Sequence, residues 1–223
     1  MTHPREQLAR LVVRGVTWPV LPPVAGRARP AAVLVLFGPL HERPAGHAGT
    51  VVPSDLDLLL VGRATSLAHH PGQVAFPGGR LDPDDDGPVH AALREAAEET
   101  GLDPGGVEVL GTLPPLPVHV SHHLVVPVVA WWARPTPVAV VDHRESATVF
   151  RTPVTDLVDP ANRRTGRWVH AGVARDVGPV FLVPHDSGTH VVWGFTALVL
   201  DRVLTELGWA EPWDPGRTFV VPV

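Results

Sequence analysis

The sequence predicts a single α/β domain built around a mixed β-sheet. Its 223 residues are enough for one large domain or two small ones, and no stretch has the length and composition of a dividing linker. Short apolar runs typical of strands outnumber the helical patterns, which is the arrangement found in α/β and α+β domains. With 44% hydrophobic and 18% charged residues, the chain can form a full core.

Strand-like apolar runs occur along the whole chain. The predicted strands are 31–37, 56–61, 107–113, 124–132, 147–151, 167–171, 179–183 and 190–193. Pro127 lies inside the fourth run, and proline cannot donate to a sheet ladder, so we expect an edge strand or a bulge there. Helical spacing and terminal glycines predict helices over 3–14, 87–101 and 195–207, with a helical turn at 153–158.

The composition excludes several kinds of chemistry. The chain has no cysteine, which excludes disulfides, a thiolate nucleophile and cysteine-ligated zinc or iron–sulfur sites. All 18 basic residues are arginine, and without lysine neither a Walker P-loop nor a Schiff base can form. The net charge of −5 gives no basic field for nucleic acid, and no apolar run approaches the ~20 residues of a membrane helix. We therefore expect a cytoplasmic protein without nucleic-acid or membrane partners.

The predicted helix over 87–101 carries the most informative charges. At about 100° per residue, Glu95, Glu98 and Glu99 fall within a narrow arc on one face, with only Arg94 as a nearby cation. Carboxylates at this spacing repel one another. They form either a solvated acidic face or a site for a divalent cation such as Mg²⁺ or Mn²⁺, which prefers oxygen ligands.

The segment before this helix favours the cation. Phe76-Pro77-Gly78-Gly79 predicts a tight turn whose backbone can closely approach a metal ion or a phosphate, because glycine has no side chain. An acidic run follows, made of Asp82, Asp84, Asp85 and Asp86. A simple surface turn would need only one or two of these residues.

The stretch from Phe76 to Leu102 resembles the Nudix box. That box has a glycine, five residues, a glutamate, seven residues, and then Arg-Glu-apolar-x-Glu-Glu-x-Gly-apolar. Residues 94–102 match the second half completely. In the first half Asp85 replaces the glutamate, and eight residues rather than seven separate it from Arg94. This longer form with an aspartate is similar to the coenzyme A diphosphatase branch of the family.

Further segments across about residues 30–205 carry the resemblance to that branch. Upstream of the box, the matching residues are Leu59-Leu60, Arg63-Ala64, Gly72, Val74 and Phe76–Gly79. Downstream, they are Leu113-Pro114-Pro115-Leu116, Glu145 with Val149-Phe150, and Trp193–Ala197. The sequence departs from the branch at Ala68, where a second arginine is usual, and at Ser121-His122-His123, where Ser-Gly-aromatic is usual.

The resemblance implies an architecture and an activity. It implies a Nudix-type α/β/α sandwich over 31–210, with an N-terminal extension (1–30) and a C-terminal tail (211–223). It also implies hydrolysis of coenzyme A to 4′-phosphopantetheine and adenosine 3′,5′-bisphosphate with Mg²⁺ or Mn²⁺. Dimers are common among similar proteins, so a homodimer is also expected.

The resemblance also implies roles for particular residues. The metal ligands would be Glu95, Glu98, Glu99 and the Gly79 carbonyl, and Arg94 would orient a carboxylate by pairing with Asp85 or Glu95. Glu145 or Glu98 would deprotonate the attacking water. The substrate would contact Arg63, Arg80, Phe76 and Gly78.

Three alternatives remain open. The departures at Ala68 and Ser121-His122-His123 leave room for another nucleoside diphosphate derivative, such as ADP-ribose or a dinucleotide. A Nudix-like domain that only binds ligands is a second alternative, although the intact charges at 94, 95, 98 and 99 argue against it. His119, His122 and His123 could hold a metal ion, but a histidine-rich loop near the cleft is the simpler interpretation, as it is for His69-His70.

Overall fold

A computed structural model describes residues 2–23, 26–40, 55–64, 72–144, 146–185 and 188–222. The helices are α1 (Pro4–Arg14), α2 (Pro88–Thr100), α3 (Val154–Val158) and α4 (Gly194–Glu206). The strands are β1 (Arg29–Pro39), β2 (Leu56–Arg63), β3 (Val74–Ala75), β4 (Gly78–Arg80), β5 (Val107–Thr112), β6 (Leu116–Val118), β7 (His123–Trp132), β8 (Ser146–Pro153), β9 (Arg163–His170), β10 (Val173–His185), β11 (Gly188–Val192) and β12 (Thr218–Val220). None of these helices is both long enough and apolar enough to cross a lipid bilayer.

The larger of two sheets is mixed, as the sequence predicts. Its strands follow the order β3-β2-β1-β7-β5, while β4 pairs with β1, β6 with β7 and β8 with β2. The long central strands β1 and β7 run parallel to each other, and the other pairings are antiparallel. The sheet therefore combines parallel and antiparallel pairing within a single α/β domain.

Each face of this sheet covers a separate hydrophobic core. On one face, alternate residues of β1 such as Ala32 and Leu34 pack against Ala92 and Ala96 of α2. On the opposite face, a larger core contains Phe37 and residues of α1, α4 and the second sheet. The sheet is thus the middle layer, with α2 alone on one side.

The ends of α2 agree with the prediction within one residue. Gly87 caps its N-terminus, Pro88 occupies the first turn, and Gly101 ends it with a left-handed φ of 70°. A proline is tolerated in the first turn because its missing N–H would have no helical partner there. Local sequence signals therefore determine both ends of the helix that carries the glutamates.

The second sheet extends further than the apolar pattern predicts. It has the order β11-β10-β9-β12, and β9 and β10 form a long hairpin with a register shift between Asp176 and Gly178. The outer part of the hairpin is exposed although it carries apolar residues such as Val169 and Val173, and the apolar pattern predicts only 167–171 and 179–183 of its two strands.

Both terminal segments pack onto the rest of the chain. Leu8 and Leu11 of α1 are buried in the larger core, and β12 pairs in parallel with β9. The strand at 218–220 carries no strong sequence signal. The division into 1–30, 31–210 and 211–223 stays a prediction.

Pro127 does not mark an edge strand, and that part of the prediction was wrong. β7 lies inside the sheet, and Pro127 is paired with Val33 of β1. On the other side of β7, the neighbouring strand is interrupted between Thr112 and Leu116. The Leu113 N–H donates to the Pro127 carbonyl at 2.9 Å. The missing proline donor is thus accommodated by a break in the partner strand.

A buried ion pair links three strands of the larger sheet. Arg151 of β8 donates to Asp57 of β2 at 2.8 Å and to the carbonyl of Pro39 at the end of β1. The side chains of Arg151 and Asp57 are only 6% and 2% exposed, and the guanidinium lies 4.6 Å from the centre of the Trp132 ring. Loss of Asp57 would leave the buried Arg151 guanidinium without its ion-pair partner.

We expect Asp57→Ala to lower the free energy of unfolding by about 3–5 kcal/mol, because the buried Arg151 guanidinium loses its ion-pair partner. Urea denaturation followed by circular dichroism measures this change. The matched control is Asp142→Ala, which breaks an ion pair with the exposed Arg144 and should change stability very little. If both substitutions lowered the free energy of unfolding equally, burial would not explain the contribution of the Arg151–Asp57 pair.

Candidate active site

The site forms where α2 packs against β4. β4 pairs with β1 in a register that sets Gly79 opposite Ala32. A Cβ atom on Gly79 would lie 2.4 Å from the carboxyl carbon of Glu95, and one on Gly78 would lie 2.4 Å from the Ala32 carbonyl oxygen. Both approaches are far inside van der Waals contact. The Gly-Gly pair therefore lets the helix bring its carboxylates against the backbone of the turn.

Two of the three helix glutamates contact this turn. The Gly78 N–H donates to Oε2 of Glu99 at 3.0 Å. The Glu95 side chain packs on Gly79 and is 21% exposed. Burial raises the pKa of Glu95, and the nearby Arg94 partly opposes that effect. Glu95 is thus a partly desolvated carboxylate whose charge is stabilised by a neighbouring cation.

Arg94 is the centre of the polar network. Its Nε and Nη2 donate to Oδ1 and Oδ2 of Asp85 at 3.1 and 2.9 Å, which is a bidentate pair. Its Nη1 donates to Glu95 Oε1 at 3.2 Å and to Glu98 Oε2 at 3.1 Å. Nη2 also donates to the Arg80 carbonyl at 3.1 Å. A single guanidinium thus connects the acidic loop, the turn and the helix.

Asp85 anchors the loop rather than facing the glutamates. Its side chain is only 1% exposed, and its Oδ2 accepts the backbone N–H of Asp82 at 2.8 Å. Hydrogen bonds from Arg94 and from that N–H lower the pKa of Asp85 to about 2. Nδ1 of His90 lies 3.0 Å from Oδ1. Sequence analysis missed His90, although its position four residues before Arg94 on the same helix face was available as a signal.

The carboxylates fit a hard cation in chemistry, although they are not gathered around one point. Within the described ranges, no three histidine, aspartate or glutamate side chains form a group that could hold a metal ion. In this arrangement Arg94 contacts both Glu95 and Glu98, and Glu99 bonds to Gly78. All the donors are nevertheless oxygen atoms, which Mg²⁺ and Mn²⁺ prefer as ligands.

The predicted substrate-binding residues lie in different surroundings. Phe76 is 2% exposed and its side chain packs inside the larger core, and its assignment as a substrate contact stays a prediction. Arg63 ends β2, and its buried Nε has no hydrogen-bond partner among the described residues. Because side chains alternate along a strand, Arg80 lies on the face opposite to that on which Gly79 meets Glu95. Gly78 offers only its backbone, which already donates to Glu99.

The remaining predicted residues lie on a hairpin or outside the described ranges. Glu145, Ala68 and His69-His70 fall outside the described residues. His119 and His122 are exposed at the turn between β6 and β7, and His123 is partly buried at the start of β7. The described part of the chain holds no metal cluster at these histidines.

We expect Asp85→Asn to destabilise the protein at neutral pH, because the folded-state pKa of about 2 lies below the ordinary value of 3.8. Ionised Asp85 stabilises the fold above pH 3.8, and this contribution disappears as the pH falls towards about 2. The urea midpoints of the unsubstituted protein and of Asp85→Asn, measured between pH 2 and pH 7, should therefore converge at low pH. Asp84→Asn, an exposed neighbour, is the matched control. If the two midpoints differed by the same amount at every pH, this role of Asp85 would be contradicted.

Comparisons with known proteins identify the family of this chain. The model of the NUDIX domain matches residues 44–175, which is more than half of the chain. The uncharacterized Nudix hydrolases NudL of Escherichia coli O7:K1 (strain IAI39 / ExPEC) and of Escherichia coli (strain K12) are 35% identical to this chain over 182 residues. Each match covers 81% of this chain and 83% of the relative.

A solved structure shows the same fold. The Nudix hydrolase RenU from M. smegmatis has a TM-score of 0.52 and 20% identity, covering 84% of this chain and 90% of its own. The family match and the NudL relatives extend over the glycine turn and the helix whose glutamates meet it. This chain therefore belongs to the Nudix hydrolases and is an enzyme that acts on diphosphates.

Proposed function

We propose that this Nudix hydrolase cleaves the diphosphate bond of coenzyme A or its derivatives, releasing 4′-phosphopantetheine and adenosine 3′,5′-bisphosphate. The observation that carries the proposal is the Glu95 carboxylate held against the Gly79 backbone by Arg94. The choice of coenzyme A rests on the sequence before the turn, where Leu59-Leu60 and Arg63-Ala64 resemble the coenzyme A diphosphatase branch.

Nudix enzymes generally use divalent metal ions, and the residues present suit one. Glu95, Glu98, Glu99 and the Gly79 carbonyl would hold Mg²⁺ or Mn²⁺. The bound ion would neutralise negative charge on the diphosphate oxygens, which otherwise repels an incoming nucleophile. Glu98, whose side chain is 59% exposed, is the helix glutamate most accessible from solvent in the Arg94 network.

The protein's own groups would position the attacking water and take its proton. Glu98 or Glu145 would accept the proton as the water oxygen bonds to phosphorus and the bridging oxygen leaves with the other phosphate. Arg94 would keep Glu95 in place through its contact with Oε1 while remaining anchored on Asp85.

Arginine must hold the anionic substrate, because the chain contains no lysine. Arg63 is the first candidate, since its buried Nε has no partner among the described residues and a phosphate oxygen could accept from it. Arg80 is the second candidate, because it directly follows Gly79. The backbone of Gly78, which follows the Phe-Pro pair of the turn, would also contact the substrate.

A second candidate substrate is another nucleoside diphosphate derivative, such as ADP-ribose. It is favoured by Ala68 and by Ser121-His122-His123, where this sequence departs from the coenzyme A branch. The homodimer and the cytoplasmic location stay predictions.

We expect the protein, supplied with Mg²⁺ or Mn²⁺, to release adenosine 3′,5′-bisphosphate from coenzyme A. Chromatography of reactions with coenzyme A, ADP-ribose and diadenosine polyphosphates measures this selectivity. Faster cleavage of ADP-ribose than of coenzyme A would reject the first proposal in favour of the second.

We expect Glu98→Gln to lower kcat by at least about 100-fold, because it removes a carboxylate assigned both to the metal and to the water. Glu6→Gln, an exposed substitution of the same kind on α1, should leave kcat unchanged. A Glu98→Gln enzyme with full activity would remove the basis of the metal assignment.

We expect Gly79→Ala to lower activity about 10–100-fold by displacing Glu95, because the added Cβ would lie 2.4 Å from its carboxyl carbon. The double variant Gly79→Ala/Glu95→Asp shortens the displaced side chain and should recover part of the loss. Steady-state kinetics and a thermal melt of each variant separate displacement from unfolding. An unaffected Gly79→Ala enzyme would contradict the close packing of the turn on α2.

A further inference from the structure

Three basic residues share one end of the larger sheet, on the face opposite α2. Arg29 of β1 is paired with His123 of β7, and Ala31 of β1 is paired with Arg80 of β4. Paired residues point to the same face, as do residues two apart on one strand. The side chains of Arg29, Arg80 and His123 therefore lie together across three neighbouring strands.

This cluster has no acidic counterpart among the described residues. Arg29 and Arg80 are both exposed, and neither forms an ion pair in that part of the chain. The nearest acid along the strand from Arg80 is Asp82, and its carboxylate is directed to Arg94, 3.6 Å from Nη2. Both arginines are thus exposed, and no carboxylate of the described residues pairs with them.

His123 completes the cluster with an unsatisfied nitrogen. Its Nε2 atom is buried and has no hydrogen-bond partner among the described residues. Burial lowers the pKa of His123, and the positive charges of Arg80 and Arg29 lower it further. A hydrogen bond to the Ser121 backbone uses the other ring nitrogen, so Nε2 becomes a donor only when the ring is protonated. A bound anion would stabilise that protonated ring and accept the hydrogen bond from Nε2.

We propose that Arg29, Arg80 and His123 form a subsite that binds a phosphomonoester group of the substrate. Arg80 directly follows Gly79, so the subsite and the glutamates lie on the two faces of the same short strand. A substrate with a second phosphate outside its diphosphate can engage both faces at once. A dianion suits a cluster of two arginines and a ring N–H donor. This inference rests on the proposed function, since it assigns part of the same substrate.

The first test compares coenzyme A with 3′-dephospho-coenzyme A, which differ only in the phosphomonoester. Arg29→Ala and His123→Ala should each raise KM for coenzyme A about 10-fold, while kcat and the KM for the dephospho form stay unchanged. Arg29→Lys, which retains the charge, should recover part of the affinity. Arg175→Ala removes an exposed arginine from the hairpin of the second sheet and serves as the control. Equal rises in KM for both substrates would overturn the proposal.

The second test measures binding without turnover. Inorganic phosphate and adenosine 3′,5′-bisphosphate are titrated into the full-length protein while the imidazole resonances of His123, assigned with His123→Ala, are followed by NMR. We expect saturable shifts in the unsubstituted protein that Arg29→Ala removes and Arg175→Ala retains.

If coenzyme A is not cleaved but these shifts occur, the subsite is supported and only the proposed substrate fails. Shifts from phosphate without discrimination between the two coenzymes would assign the site to free phosphate and overturn its link to the substrate. Absence of any shift would overturn the subsite itself.

Discussion

The close approach of α2 to β4 is the constraint on which the site depends. Small side chains make it possible, because Ala91, Ala92 and Ala96 are fully buried between the helix and the sheet. At the point of closest contact there is no side chain on the strand at all, since Gly79 leaves its space to the Glu95 carboxylate. Packing of apolar atoms thus forces a charged group against a backbone.

That placement has an electrostatic cost, which the surroundings reduce. A partly buried carboxylate resists ionisation, as the raised pKa of Glu95 indicates. Arg94 counters this effect at short range, and its own position is fixed by the bidentate pair with the buried Asp85. Only the planar, five-donor guanidinium can serve Asp85, Glu95, Glu98 and a backbone carbonyl simultaneously. The aspartate that departs from the usual Nudix box is therefore the anchor of the network.

Features with local signals could be predicted from the sequence. The ends of α2 follow from Pro88 and Gly101, and the face bearing the glutamates follows from helical periodicity. The mixed sheet follows from the apolar runs. The motif also predicted that Arg94 would pair with Asp85 or Glu95, and Arg94 contacts both because one turn and one helix bring the three residues together.

Features that depend on distant packing could not be predicted in this way. A motif does not tell which way a side chain faces, so the burial of Phe76 in the core could not be predicted from it. The apolar runs at 167–171 and 179–183 identify only part of the β9–β10 hairpin, because its hydrogen bonds, rather than burial, extend both strands into solvent. Pro127 is compatible with an inner strand only because its neighbour breaks opposite it, which depends on residues ten or more positions away.

Because the cation at the centre of the network is an arginine, Arg94, the charge of the site changes little at alkaline pH. Its hydrogen bond with Asp85 raises the pKa of Arg94 further above that of a free guanidinium. A lysine in this place would begin to lose its proton as the pH approached about 10.4. Arg94 by contrast keeps its positive charge well above that pH. The loop, the turn and the helix therefore keep their mutual attachment in base, and an alkaline decline in turnover would originate in the metal, the water or the substrate.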